Sequence, residues 1–187
     1  MLLQNEGELA AALQHADRAI ALRPAAEYAY VTAADALLWM GRTQEAEARL
    51  RAGLREIPGS NVLRSLMAYA AWERKDRTAA QGFLKELEGV WPPEHSNTVL
   101  LDGLKLALAG DSSGAKAGFE AYRQKLAATD ISLRKHNERR VISVNLYFMA
   151  RVVARLSDRP AAQAMVELAD RFHPGKARVA QQDPLFR

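Results

Sequence analysis

The segment from Pro24 to Pro58 reads PAAEYAYVTAADALLWMGRTQEAEARLRAGLREIP, and its pattern recurs along the chain. A third proline, Pro92, follows Pro58 by the same 34 residues that separate Pro58 from Pro24. A shift of 34 residues also superimposes small residues of successive segments, namely Ala12, Ala46 and Ala80. A fixed interval of this length indicates an internal structural repeat.

Each repeat predicts two helices joined by a short turn. Glycine at Gly41 and Gly110 suits the left-handed end of a first helix, and the recurring prolines suit the end of a second one. Between these positions apolar residues recur at intervals of three and four, as in Leu9, Leu13 and Ala16, which is the period of an amphipathic helix. The superimposed small residues fit the places where two paired helices approach closely.

The composition excludes several classes of protein. The 187 residues are 49% hydrophobic with a net charge of +4, which excludes a disordered chain and gives only a mild preference for acidic partners, so we expect no specific binding of nucleic acid. No apolar run approaches the roughly 20 residues of a membrane span, and no secretory leader opens the sequence. We therefore expect no membrane insertion and a cytoplasmic location. The chain has no cysteine, which excludes disulfides and thiolate metal sites.

The repeat pattern resembles the tetratricopeptide repeat, a helix–turn–helix unit of about 34 residues. The resemblance implies an all-α fold, a right-handed α-solenoid of stacked antiparallel helix pairs, with about 4.5 repeats in this chain. The repeat domain is expected at residues 1–174, followed by a C-terminal tail at 175–187 that packs only in part. The expected repeats are a truncated one at 1–24 and complete ones at 25–58, 59–92, 93–129 and 130–174.

Three positions depart from the family pattern. Arg64 stands where the preceding repeat has the early aromatic Tyr30, and Lys75 replaces the glycine of the turn. No proline closes the repeat that ends near Leu126. The resemblance is therefore closest over the N-terminal half of the chain.

The first repeat is incomplete, because the register places Leu2 and Leu3 on the last turn of a first helix that the sequence lacks. Repeats of a solenoid bury the faces of their neighbours, so the remaining helix would expose an apolar face. We expect either that the chain is a piece of a longer protein or that this end pairs with a second copy. The alternative is a natural short variant or a wrongly chosen start.

No pattern of residues indicates a reaction centre, so we expect no enzyme, no cofactor and no metal. The run Gly110-Asp111-Ser112-Ser113-Gly114 matches the G-x-S-x-G motif of hydrolases, but that motif needs a preceding strand. Here the register predicts a turn between paired helices, with a side chain of the run capping the second helix. The four histidines show no spacing typical of a metal site.

The most basic run spans residues 134–140 and reads RKHNERR. We expect it at an exposed turn and at the start of a long helix, which is predicted from about residue 131 to 156. The alternative is contact with phosphate or with an acidic segment of a partner.

The resemblance also implies a binding surface, because the first helices of the pairs line the concave wall in this family. Its positions map onto eleven residues of this chain: Tyr28, Val31, Asp35, Trp39, Ser65, Tyr69, Trp72, Asn97, Tyr147, Arg151 and Arg155. The Lys/Asn clamp that some members use for a partner's terminal carboxylates is replaced here by Val31, Asp35, Ser65 and Tyr69. An apolar or aromatic peptide is therefore expected, with an acidic group near Arg151 and Arg155. The alternative for Trp39 and Trp72 is packing between neighbouring pairs.

The leading functional hypothesis is a noncatalytic protein-interaction scaffold that binds a partner protein or peptide in its groove or at its open N-terminal end. The alternative is a regulatory or sensing repeat domain of a larger bacterial transcription or signalling protein. The truncated start and the ending Gln182-Asp183-Pro184-Leu185-Phe186 favour this alternative.

Overall fold

The computed structural model describes residues 9–186, and all of the regular secondary structure in this range is helical. The range contains ten α-helices: α1 Leu9–Leu22, α2 Glu27–Trp39, α3 Thr43–Glu56, α4 Asn61–Glu73, α5 Arg77–Glu86, α6 Ser96–Ala109, α7 Ser112–Ala127, α8 His136–Arg155, α9 Arg159–Phe172 and α10 Lys176–Gln182. Leu2 and Leu3, on which the prediction of an open N-terminal face depends, lie outside the described residues.

The helices pack as antiparallel neighbours in two layers. Consecutive helices form the pairs α2–α3, α4–α5, α6–α7 and α8–α9, and α1 packs against α2. The first helices of these pairs, α2, α4, α6 and α8, also contact one another in that order, and we call this layer the inner wall. The predicted all-α fold of stacked helix pairs is therefore confirmed.

A left-handed residue ends the first helix of every complete pair, whether or not it is a glycine. Gly41 and Gly110 have φ angles of 75° and 88°, as the sequence predicts. Lys75 and Ser157 occupy the equivalent positions with φ angles of 65° and 63°. The backbone of the turn at Lys75 is thus left-handed like that at Gly41, although residue 75 is not a glycine.

Small residues allow the paired helices to approach closely. Ala46, Ala80 and Ala115 lie early on second helices and are fully buried. In the third complete pair Gly103 on α6 faces Phe119 on α7, and a Cβ atom at Gly103 would lie 2.0 Å from the ring atom Cζ. The contact leaves no room for a side chain at residue 103.

Two segments differ from the sequence prediction. The long helix predicted from about residue 131 begins at His136, because Asp130 instead caps a short 3-10 helix, Ile131–Leu133, by accepting a hydrogen bond of 2.9 Å from the backbone N–H of Ser132. The predicted tail after Gly175 contains α10, which packs against α9 and reaches α2. The C-terminal segment therefore returns to the inner wall.

Candidate functional site

A pocket of about 260 Å³ opens on the inner wall near the N-terminal ends of its four helices, and we call it the wall pocket. Its lining is mostly apolar, from the residues Val31, Val62, Leu66, Val141, Val144 and Phe148. Helical register places these side chains on the facing sides of α2, α4 and α8. A concave apolar surface with a few polar groups has the character of a ligand site.

Five of the predicted groove residues line this pocket: Tyr28, Val31, Asp35, Ser65 and Asn97. They come from three successive inner helices, so the repeat register brings them to one place. Tyr28 stays accessible, whereas Asp35 is almost completely buried at the base of the pocket. The pocket is therefore deep at Asp35 and open at Tyr28.

One guanidinium group supplies a positive charge at the mouth. The Arg140 Cζ atom lies 4.1 Å from the centroid of the Tyr28 ring, which fixes the guanidinium by a cation–π contact. Burial lowers the pKa of Arg140 to about 10, so the group keeps its charge at neutral pH. Arg140 belongs to the basic run, and the structure places it at the pocket instead of on an open helix surface.

Polar contacts between side chains join α6 and α8 on one side of the wall pocket. Asn145 on α8 donates from Nδ2 to Ser96 Oγ at 2.8 Å and to Asn97 Oδ1 at 2.5 Å, which joins the two helices. The His95 ring stacks on Trp91 with 5.9 Å between centroids and accepts at Nδ1 from the backbone N–H of Asn97. Burial lowers the pKa of His95, so it is neutral at pH 7. These contacts hold α6 and α8 together beside the wall pocket.

A second recess of about 470 Å³ continues from the wall pocket, with which it shares His95 and Val141. Arg134, from the basic run, lines this recess. Residues 136–139 of the run form the first turn of α8, whereas Arg134 and Arg140 are half-buried at the two recesses and not on the exposed surface that the sequence predicted. The wall pocket and this second recess are therefore each lined by one arginine of the basic run.

The other half of the inner wall is filled by the chain itself. Trp39, Tyr69 and Tyr147, three of the predicted groove residues, are fully buried. The Trp39 ring lies 5.2 Å from Tyr147, and the Tyr69 ring lies 4.5 Å from Phe148. A ligand cannot reach these rings in this conformation, because α8 and the C-terminal segment cover them. For Trp39 the structure matches the packing alternative.

Arg151, also predicted in the groove, is buried at the centre of an ion cluster. Its Nη2 atom lies 2.6 Å from Glu73 Oε1, its Nε donates to Tyr69 Oη at 2.8 Å, and its Nη1 pairs with Asp183 of the C-terminal segment. Arg155 reaches the same Glu73 oxygen at 3.4 Å from the rim. Burial raises the pKa of Glu73, and the attraction of Arg151 and Arg155 more than offsets this, so the pKa lies below its ordinary value.

Tyrosine hydroxyls complete the cluster. Tyr69 donates to Glu73 Oε1 at 2.8 Å, and Tyr147 donates to Asp183 Oδ2 at 3.0 Å. Burial raises the pKa of both tyrosines, so both hydroxyls keep their protons. Trp72, the remaining predicted groove residue, is half-buried beside Tyr69 at 5.9 Å between rings. The cluster thus binds α4, α8 and the C-terminal segment together.

Sequence reasoning did not place His95, Arg140 or Asp183 at the inner wall. Arg140 carried a signal, since it lies in the most basic run of the chain. Asp183 carried none, because it follows the last repeat and no periodicity predicts that it returns to α4 and α8.

The motifs with possible chemistry have structural roles in the part of the chain that is described. Asp111 caps α7 by accepting 2.8 Å from the backbone N–H of Gly114, so the G-x-S-x-G run is a turn between helices. His136 and His173 lie 5.4 Å apart between ring centroids, yet within residues 9–186 no group of three potential metal ligands comes together. Over the same residues no helix is both long and apolar enough to cross a bilayer.

Comparison with known proteins agrees with the repeat analysis. The family model described as tetratricopeptide repeat matches residues 3–70. Among solved structures the chain is similar to "Crystal structure of YrrB: a TPR protein with an unusual peptide-binding site", with 20% identity, a TM-score of 0.49, and coverage of 96% of this chain and 86% of that chain. No curated protein matches the sequence. The resemblance predicted from the repeat is confirmed over residues 3–70, the part of the chain that the tetratricopeptide repeat model matches.

Proposed function

We propose that the chain is a noncatalytic protein-interaction module that binds a linear peptide of a partner protein in the wall pocket. The observation that carries this proposal is the gathering of Tyr28, Val31, Asp35, Ser65 and Asn97, from three repeats, around one open cavity. The family resemblance implies ligand contact at these same positions. The YrrB structure is likewise described as having a peptide-binding site.

The chemistry of the pocket defines the peptide. Val31, Val62 and Val144 provide apolar contact area, which favours an aliphatic or aromatic side chain in the cavity. Arg140 at the mouth favours a carboxylate close to that side chain, because a guanidinium binds carboxylate oxygens with two parallel hydrogen bonds. We therefore expect a short peptide with one large apolar residue next to an acidic residue.

Selection from a displayed library of random 12-residue peptides tests the proposal with the full chain as bait. The affinities of the selected peptides are then measured by fluorescence anisotropy for the wild type and for Val141→Trp and Arg140→Gln. Val141 is 40% exposed and lines both recesses, so a tryptophan there should obstruct the cavity without disturbing the core. A matched control is Leu133→Ala, since Leu133 is 83% exposed and does not line either recess.

We expect Val141→Trp to weaken binding at least tenfold. Arg140→Gln should weaken it by a similar factor, because a hydrogen bond to a charged group contributes roughly 1.5–3 kcal/mol. Leu133→Ala should bind like the wild type, and all variants should keep the wild-type circular dichroism. Peptides that bind all variants equally, or that lack acidic residues, would contradict the proposed site. Reproducible turnover that is lost in Ser112→Ala would contradict the noncatalytic role.

A further inference from the structure

The filled half of the inner wall holds the chain's own C-terminal segment as a bound peptide would be held. Asp183 is fully buried between Arg151 and the hydroxyl of Tyr147, and the Phe186 ring lies 5.8 Å from the Tyr147 ring. Pro184 packs at Gly41, where an added Cβ atom would lie 3.4 Å from Pro184 Cγ. Asp183, Pro184 and Phe186 of the segment thus each contact a residue of the wall.

Several of the wall residues that contact this segment are positions where the family resemblance implies ligand binding. Tyr147 and Arg151 belong to the predicted groove, and Trp39, another predicted groove residue, carries the Lys176 ammonium 4.4 Å from its ring centroid. The segment therefore covers surface that would otherwise be available to a partner.

The helix of the segment is short. The helix α10 has seven residues, which is too short to be stable in isolation, and its buried residues are Lys176, Val179 and Ala180. It joins the last repeat through Gly175, whose φ angle of 111° belongs to the left-handed region. Short peripheral elements open at lower free energy than the core of a domain.

At Arg151 the wall keeps its ion pair when the segment leaves. Arg151 keeps Glu73 at 2.6 Å and Tyr69 at 2.8 Å, so its charge stays paired without Asp183. Docking of the segment adds a second carboxylate, and Arg155 at the rim balances the cluster as two cations and two anions. Release therefore leaves Arg151 paired, and its electrostatic cost falls on the buried Asp35, which loses the attraction of Lys176.

We propose that residues 176–186 are a releasable latch on a second peptide site, and that a partner segment with the sequence pattern Asp-Pro-x-aromatic replaces it. The site consists of Arg151, Tyr147 and Gly41. None of these three residues lines the wall pocket, although Lys176 of the segment is attracted by Asp35, which does line it. This proposal does not depend on the function proposed for that pocket.

A peptide of the same sequence added in trans tests the latch in the full chain. The probe is a fluorescein-labelled peptide RVAQQDPLFR, which copies residues 178–187. It is titrated against the wild type, against the double variant Asp183→Asn/Phe186→Ala, which weakens the resident segment, and against the control Gln182→Ala at an exposed neighbouring position. A second probe carries the same two changes as the double variant.

We expect the first probe to bind the double variant at least tenfold more tightly than it binds the wild type or the control, and the second probe to bind none of them. Adding Tyr147→Phe to the double variant should weaken the first probe several-fold, because it removes the hydroxyl that donates to the aspartate. Amide exchange at Val179 and Ala180 should accelerate in the double variant while exchange in α8 stays slow.

Three results would overturn the proposal. The first is equal binding of both probes, which would show that the second peptide site does not recognise the aspartate and the aromatic ring. The second is no binding of either probe to a double variant that keeps its urea midpoint, which would show that the segment is a fixed part of the fold. The third is a dimer of the wild type that depends on concentration and exchanges its C-terminal segments, which would replace the latch by a contact between copies.

Discussion

The close contact between α6 and α7 provides a quantitative test of the helix pairing. In Gly103→Ala the new methyl carbon would lie 2.0 Å from Phe119 Cζ and 2.2 Å from Cε1, far inside ordinary van der Waals separation. Phe119 is fully buried, so its ring cannot move aside without displacing other core residues. Either the two helices separate or the ring leaves its rotamer.

Two opposing effects determine the size of the change. Replacing glycine by alanine inside a helix gains about 1 kcal/mol of helix propensity. Overpacking a well-packed core costs typically 1–3 kcal/mol, and a contact this short belongs at the upper end of that range. We therefore expect Gly103→Ala to lower the free energy of unfolding by about 2 kcal/mol.

The control lies on the partner helix. Gly118 on α7 is exposed, and an added Cβ atom there would meet nothing within 4 Å. Gly118→Ala should therefore raise the free energy of unfolding by about 0.5–1 kcal/mol through helix propensity alone.

Urea unfolding of both variants, followed by circular dichroism, measures the difference. With a slope of about 2 kcal/mol per molar urea, Gly103→Ala should lower the midpoint by about 1 M and Gly118→Ala should raise it slightly. If Gly103→Ala proves as stable as Gly118→Ala, the faces that α6 and α7 present to each other are not those described above.

Three further predictions concern the turn, the core and the ion cluster. Lys75→Gly should raise the free energy of unfolding by about 1 kcal/mol, because the left-handed backbone at residue 75 strains any side chain. The control Lys75→Ala keeps the Cβ atom and should change the stability little. Equal urea midpoints for the two variants would contradict this prediction. Trp39→Ala should cost about 3–5 kcal/mol of stability because Trp39 is fully buried, whereas an unchanged thermal midpoint would return Trp39 to the set of accessible groove residues. Glu73 has a pKa below its ordinary value of 4.5, so its contribution to stability is complete above pH 4.5 and is lost as the pH falls through the lowered pKa. Glu73→Gln should therefore lower the free energy of unfolding by about 3 kcal/mol at pH 7, and its difference from the wild type should decrease in acid. A difference in stability that stays constant from pH 7 to pH 3 would show that the carboxylate charge is not involved.

The repeat period predicted most of the architecture because it reflects local rules. Residues within one repeat determine the left-handed backbone at Gly41 and Gly110, the close helix packing at small residues such as Ala46, and the apolar period of each helix. The family resemblance, and not these rules, implied that Asn97 faces the inner wall, and in the structure Asn97 lines the wall pocket. The start of α8 was missed because a single capping aspartate, Asp130, competes with helix propensity over the next residues.

From the order of its residues alone, the chain is therefore specified as an all-helical stack of paired helices with a wall of known positions, because a repeat that buries its neighbour needs only local periodicity to define its faces. Which of those positions stay open depends on contacts between residues far apart in sequence. Arg151 meets Glu73 and Asp183, and Arg140 meets Tyr28, only after the helix pairs have stacked and the C-terminal segment has folded back. These contacts join residues of different repeats, so the sequence of no single repeat determines them.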